Sequence, residues 1–527
     1  MELSQLGLNL KDCLNRIDAY ESEILSRRGQ ETIHIPTVGG ALSSAYEQLR
    51  NASEYSEGDL LQQRAIRRYL KRVLSFHTQT STKHLADELI AELTQSEYIP
   101  NDHTTKKDVQ AIEHYISLYY GAYWKYAQKT RNQSKRNNFQ KWVLDVLAVR
   151  CEQTLQSHVR QLLFAHFAFS HLHHKIDVKK LLRNNEKISN QDMPIIVYAS
   201  IHRSLLKSDD ATIRAALMDT YKKDVGNINE FVDFNLKIDY FFETQTIVHT
   251  TRIIGKNGAP LRFIYTGFFK KDAALSLKSL RSPEMLEQNL HRHIENEYSA
   301  LNKRLDVGIV RSVIFLLITK GIIGFAVEVP YDILISGSIL WIPFFINLLF
   351  PAAFIAFSRL TLSIPIRRNT TGVIASIQGM LFSDDNRPLY IRSKKQSQAS
   401  WFNIVYVVSF LAVFLIVSYL LYSLRFNFVQ GIIFFIFLST ASFLAFRLSR
   451  QINELEVVNT PQGFLSLVRD IIYLPFIYVG QQISYRYSKI NIVAMILDLL
   501  IELPLKTILR LIRQWTLFLN QKKDELI

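Results

Sequence analysis

Cysteine occurs only twice in this chain, histidine stops at His293, and long parts of the second half carry no charge at all. The two thiols, Cys13 and Cys151, stand far apart, and the opening residues Met-Glu-Leu-Ser-Gln lack the basic and apolar parts of a secretory signal. A structural disulfide is therefore not expected, and both cysteines are read as reduced. A Walker-type phosphate loop, a dinucleotide glycine fingerprint, His-Glu-x-x-His and Cys-x-x-Cys are all missing, so no catalytic residue is assigned and an enzyme is the least favoured class. No cofactor is implied.

The uncharged stretches are the main signal, because a helix needs about 20 apolar residues to cross a hydrocarbon layer roughly 30 Å thick. Between Lys395 and Arg425 no residue is charged, and Trp401 to Leu424 reads as a spanning helix. Arg425 to Arg447 encloses a second uncharged run, which returns after a tight turn near Asn427 and Gln430. Ile333 to Phe357 is also uncharged and rich in Ile, Leu and Phe, with Pro343 and Pro351 tolerable inside a membrane bundle. Ile309 to Val329 is less clean, since it contains Arg311, Lys320 and Glu328.

These observations predict an all-α protein. Residues 1–300 form a helical soluble region with a stalk helix from 282. Residues 301–450 form a polytopic membrane domain of about four spans, near 309–329, 333–357, 401–424 and 427–446. Residues 451–527 form amphipathic helices that lie on the membrane, re-enter it, pack on the bundle or dimerise. The stalk has a strong start, with Ser282 as N-cap, Pro283 at the first helical position and Glu284 after it. Thr244 to Phe268 fits either a β-hairpin at its Asn-Gly turn or two helices joined by a turn.

Charge sets the expected orientation. The chain holds 62 basic and 47 acidic residues. The connection from Arg359 to Lys395 collects Arg359, Arg367, Arg368, Arg387, Arg392, Lys394 and Lys395, whereas the turns after the first and third spans are poor in cations. Basic connections mark the cytoplasmic side, so both termini are placed there, with the inner (plasma) membrane as the location. The sequons at Asn51, Asn132 and Asn369 then lie where glycosylation does not reach. Anionic lipid is the expected partner of Arg367, Arg368, Lys394 and Lys395, and of Lys506, Arg510, Arg513 and Trp515 in the C-terminal section. Protein partners are expected through the cytoplasmic helices, and nucleic acid is not.

Two groups of residues stand out chemically. Four histidines, His166, His171, His173 and His174, crowd one short segment, and His166 and His173 can share a helix face, an arrangement able to bind a transition metal. The bland alternative is solvated or core-edge histidine. The second group is Lys320, Glu328, Asp332 and Asn347, polar residues in or beside the first two spans. If Lys320 is central it pairs with an acid from another span and lines an ion path. If the span is shifted, Lys320 reaches toward the interface while Glu328 and Asp332 mark the outer boundary. The Trp341-Ile-Pro343-Phe-Phe-Ile-Asn-Leu-Leu-Phe-Pro351 segment resembles the proline-flanked membrane segment of the mitochondrial LETM cation-exchanger family. It covers about eleven residues, that family's single-span layout differs from the four spans expected here, and no site is carried over.

The function expected from sequence is that of a membrane-anchored interaction or scaffold protein with a helical cytoplasmic region. The alternative is a small-ion or solute transporter using the polar residues of the first two spans.

Overall fold

The structure is a computed structural model that describes residues 2–26, 31–36, 60–176, 188–361, 366–383, 400–457 and 464–489, with isolated positions such as Ser43, Glu47 and Trp515. The regular structure of the described residues is all helix, apart from one isolated bridge between Thr32 and Thr105. Thr244 to Phe268 takes the helical alternative. The chain divides into two compact units, one of Leu8–Ile254 with Asn386–Leu389 and Asn491–Ile527, the other of Met1–Gly7, Gly255–Asp385 and Tyr390–Ile490.

Among the described residues up to Ile254 the α-helices include α1 (Gln5–Ser26), α2 (Leu61–Val73), α3 (Leu85–Gln95), α4 (Lys106–Lys129), α5 (Gln133–Leu155), α6 (Val159–Leu172), α7 (Met193–Ile201), α8 (Asp210–Thr220), α9 (Ile228–Glu243) and most of α10 (Gln245–Asn257). Local chemistry fixes several ends. Thr105 and Asp108 form a reciprocal cap at the start of α4, and Asp209 Oδ1 accepts from Thr212 N at 2.9 Å to start α8. Helix α5 is buried on several sides, as expected of a central helix, with Phe139, Trp142, Val146, Leu147 and Cys151 in the core. Charged groups lie inside that core, Arg214 and Asp145 among them. The Arg214 guanidinium is 1% exposed, donates to Asn235 Oδ1 at 2.7 Å and pairs with Asp239, which also accepts from Trp142 Nε1 at 2.7 Å. Asp145 lies 3.9 Å from Arg214 Nε and 2.5 Å from Arg67. Both cysteines are free and buried, and burial raises both thiol pKa values.

The other unit holds α11 (Ala259–Ile264), α12 (Pro283–Ile323), α13 (Val329–Ser336), α14 (Trp341–Thr361), α15 (Ile366–Phe382), α16 (Ser400–Ser423), α17 (Phe428–Asn453) and α18 (Phe464–Lys489). Helix α12 begins at the expected cap, with Ser282 Oγ accepting from Met285 N at 3.2 Å. Among the described residues, three helical runs are long and apolar enough to cross a membrane: Pro283–Ile335, Trp341–Arg359 and Phe428–Ile452. In α16, Val407–Ser423 is apolar over a shorter length. These helices show large apolar side chains outward, including Ile318, Ile322, Phe345, Leu415 and Ile436. Exposed apolar surface of this extent calls for lipid or a partner, not water.

Between apolar helices in lipid, close packing replaces the hydrophobic drive. Helices α17 and α18 pack along one another, and a Cβ on Gly480 would fall 2.1 Å from the Ser439 carbonyl oxygen. Only glycine allows that approach. Ile309, Leu316, Ile355 and Ala441 form the core where α12, α14 and α17 meet. Polar contacts also tie these helices: Arg359 Nε donates to Asp306 Oδ1 at 2.7 Å, and buried Asn369 holds Tyr298, Leu455 and Val457.

Candidate functional site

A charged cluster lies inside the apolar helices. Lys320, Glu328, Asp332, Asn347 and Gln430 are each at most 2% exposed. Lys320 Nζ donates to Glu328 Oε1 at 3.0 Å and sits over the Phe437 ring, 4.5 Å from its centroid. The same Glu328 oxygen accepts from Asn347 Nδ2 at 2.9 Å. Asn347 Nδ2 also faces the Gln430 carbonyl oxygen at 3.3 Å. The cluster thus joins α12, α14 and α17.

Lys320 and Glu328 are eight residues apart, and a regular α-helix turning about 100° per residue would leave them some 80° out of line. The chain solves this with a π turn at Gly324–Glu328. The turn takes up one extra residue, so the pair behaves as if seven apart and lies within about 20° of alignment. Of the two arrangements open from the sequence, a central Lys320 paired with an acid from another span or a shifted span with Lys320 at the interface, neither holds in full: Lys320 is buried, and its acid comes from the same helical course because of this turn. Lys320 does not extend to the surface. The Glu328-Val-Pro-Tyr-Asp332 segment likewise does not end the helix: Pro330 stands in the first turn of α13, where its missing N–H is harmless, and the helical course ends at Ser336. The chain then turns at Gly337, whose φ of +67° is in the left-handed region.

Asp332 is the second carboxylate, and neutral donors satisfy it. Gln430 Nε2 lies 2.9 and 3.1 Å from its two oxygens, Asn427 Nδ2 donates at 2.6 Å and Leu340 N at 3.2 Å. Asn427 and Gln430 are set for this by their own cap, in which Gln430 N donates to Asn427 Oδ1 at 2.8 Å. Glu328 and Asn347 are not fully satisfied. Among the described residues, Glu328 Oε2 and Asn347 Oδ1 have no hydrogen-bond partner. Both are acceptors, and burying an unmatched acceptor costs about 1–3 kcal/mol, more where charge is involved.

All four residues singled out from the first two spans therefore meet in one place. Gln430, Asn427 and Phe437 complete it and were not assigned from sequence. The available signal was Asn427 and Gln430, the two amides in the uncharged run that follows Arg425.

The histidines are arranged otherwise. His166 is exposed on α6 with its ring 5.7 Å from Tyr198, and His173 lies against Phe169 and His174 at 4.9 and 5.1 Å between centroids. Among the described residues no group of three His, Cys, Asp or Glu side chains could hold a metal ion. A further histidine, His202, is buried 4.9 Å from Tyr198, in a π turn at His202–Leu206, and its Nδ1 lies 3.2 Å from Ser208 Oγ. Burial lowers its pKa to about 3.

Of the proposed lipid contacts, Arg367 and Arg368 fall in the first turn of α15, with Arg368 exposed. Trp515 is exposed, its ring 5.8 Å from Phe518. Lys394, Lys395, Lys506, Arg510 and Arg513 lie outside the described residues. Compared with models of known protein families, with curated proteins and with solved structures, the chain matches none.

Proposed function

We propose that this is a multi-pass protein of the inner membrane, with four spans and both termini cytoplasmic, that moves a small cation by way of the cluster around Glu328. The observation that carries the reading is the charge of the cluster. One ammonium, Lys320, stands against two carboxylates, Glu328 and Asp332, all buried among apolar helices. One negative charge is left over, and the two atoms without partners among the described residues, Glu328 Oε2 and Asn347 Oδ1, are both acceptors. A proton or an alkali cation supplies what such a site lacks, whereas an anion does not. Ionisable groups inside membrane helices face a cost of about 2.5–3.5 kcal/mol each on insertion scales, and they are commonly retained along ion and proton paths.

The test is flux in proteoliposomes of the purified chain, with a pH-sensitive dye inside for protons and radioactive sodium or potassium for alkali ions. Glu328→Gln keeps the shape and the Asn347 contact and removes the charge. The native protein is expected to pass one of these ions, and Glu328→Gln to reduce that flux at least tenfold. Flux unchanged by the substitution, or absent from the native protein for all three ions, overturns the proposal.

The second reading is a membrane-anchored interaction protein that engages protein partners or anionic lipid. The exposed Arg368 beside Arg367 at the start of α15 supports it. Liposomes of neutral lipid and of anionic lipid compare the two: an anionic-lipid requirement with no ion flux favours the second.

A further inference from the structure

Helix α2 carries Arg64, Arg67, Arg68 and Lys71 at intervals of three and four, and so on one side, with no acid anywhere in its sequence. Like charges at such spacing repel, each pair weakening a helix by a few tenths of a kcal/mol. These four side chains form one wall of a groove of about 580 Å³ whose other wall is the start of α5, with Asn137, Gln140 and Lys141. Asp209 is the one carboxylate in the lining. It is already engaged, capping α8 through Thr212 N.

The guanidiniums are held in place from behind. Arg67 is tied to Asp145 at 2.5 Å and Arg68 to Glu47 at 2.6 Å. Both carboxylates are almost fully buried and hold the arginines from the protein side; the Arg67 side chain remains 42% exposed and the Arg68 side chain 15%. Among the described residues, Lys71 and Lys141 have no carboxylate within salt-bridge distance, and both are exposed. Guanidinium forks, two ammonium groups and two side-chain amides on facing walls are a donor set for tetrahedral oxyanions. The volume admits a ligand of several heavy-atom groups, beyond a single small ion.

We infer that the groove between α2 and α5 binds a phosphate-bearing anion, held by Lys71 and Lys141 across the groove and by the anchored guanidiniums along α2. The same chemistry is offered by a free phosphorylated solute and by a phospholipid headgroup. The inference is independent of the reading of the Glu328 cluster.

The test uses the full chain in neutral detergent and titration calorimetry with inorganic pyrophosphate, with dioctanoyl phosphatidic acid below its micelle concentration, and with heparin. Native protein is expected to bind pyrophosphate or phosphatidic acid saturably, more weakly as salt rises. The tighter of the two identifies the source as solute or headgroup. Lys71→Gln/Lys141→Gln is expected to weaken that binding at least tenfold, and each single variant by an intermediate factor. Because both lysines are exposed, the variants keep the native melting temperature in the absence of anion, while the upward shift that the anion gives the native chain is lost. The inference is overturned if neither small probe binds more tightly than about 1 mM, a threshold near 4 kcal/mol of binding free energy. It is also overturned if the double variant binds as the native chain does, or if heparin alone is bound.

Discussion

Replacing Lys320 by Met tests the buried pair most directly. The ammonium and the Glu328 carboxylate are 3.0 Å apart and both are at most 2% exposed. At an effective dielectric near 20, that separation corresponds to about 5 kcal/mol of attraction. The Phe437 face adds on the order of 1–2 kcal/mol to the ammonium. Desolvation of the two ions opposes these gains by several kcal/mol each, so the pair as a whole contributes little net stability. Breaking it is different. Lys320→Met leaves Glu328 with a single donor, Asn347 Nδ2, and is expected to cost about 3–5 kcal/mol; Glu328→Gln, which strands the ammonium, costs a similar amount. Lys320→Met/Glu328→Gln removes both charges and keeps the Asn347 contact, so its loss is expected near 1 kcal/mol. The assay is unfolding in detergent micelles with added SDS, followed by circular dichroism and treated as a double-mutant cycle. A double variant whose loss equals the sum of the singles within about 0.5 kcal/mol would refute the coupling, and with it the geometry around the π turn.

Gly480→Ala puts a methyl group 2.1 Å from the Ser439 carbonyl oxygen, which forces α17 and α18 apart. The expected loss is about 1–3 kcal/mol in the same SDS assay, and a change under about 0.5 kcal/mol would contradict the close approach. His202 supplies a pH dependence. Its folded pKa of about 3 lies below the ordinary 6.5, so between those values the unfolded chain binds the extra proton. Stability therefore rises with pH across that window and is flat above it, and the His202 share at pH 5 is about 2 kcal/mol below its share at pH 7. Denaturant titrations at the two pH values measure this, and His202→Gln should remove that part of the slope; an unaltered slope would show that other groups cause it.

Much of the helical layout was readable because its signals are local. Ser282-Pro283-Glu284 marks the start of α12, and the absence of charge from Trp401 to Leu424 marks α16. Lys320, Glu328, Asp332 and Asn347 stood out for one reason, that polar groups are costly among apolar residues. What joins them was not readable. The partner of Asp332 is Gln430, nearly a hundred positions away, and only tertiary packing brings it there. A π turn has no composition of its own, since Gly-Phe-Ala-Val-Glu suits an ordinary helix equally well. Arg214 reads as a surface residue until the surrounding Asn235, Asp239 and Asp145 are placed. Thr244 to Phe268 was ambiguous because β-branched residues and an Asn-Gly step favour a hairpin locally, while neighbouring helices favour helix.

The π turn also separates the length of the chain from the geometry of the cluster. Deleting Ala326 alone would leave every polar side chain of the cluster in place in the sequence. The turn would then close to an ordinary helix in which Lys320 and Glu328 stand seven apart, again within about 20° of alignment. One deletion here is thus a milder change than one further insertion, which a regular helix would turn into a rotation of about 100° between the pair.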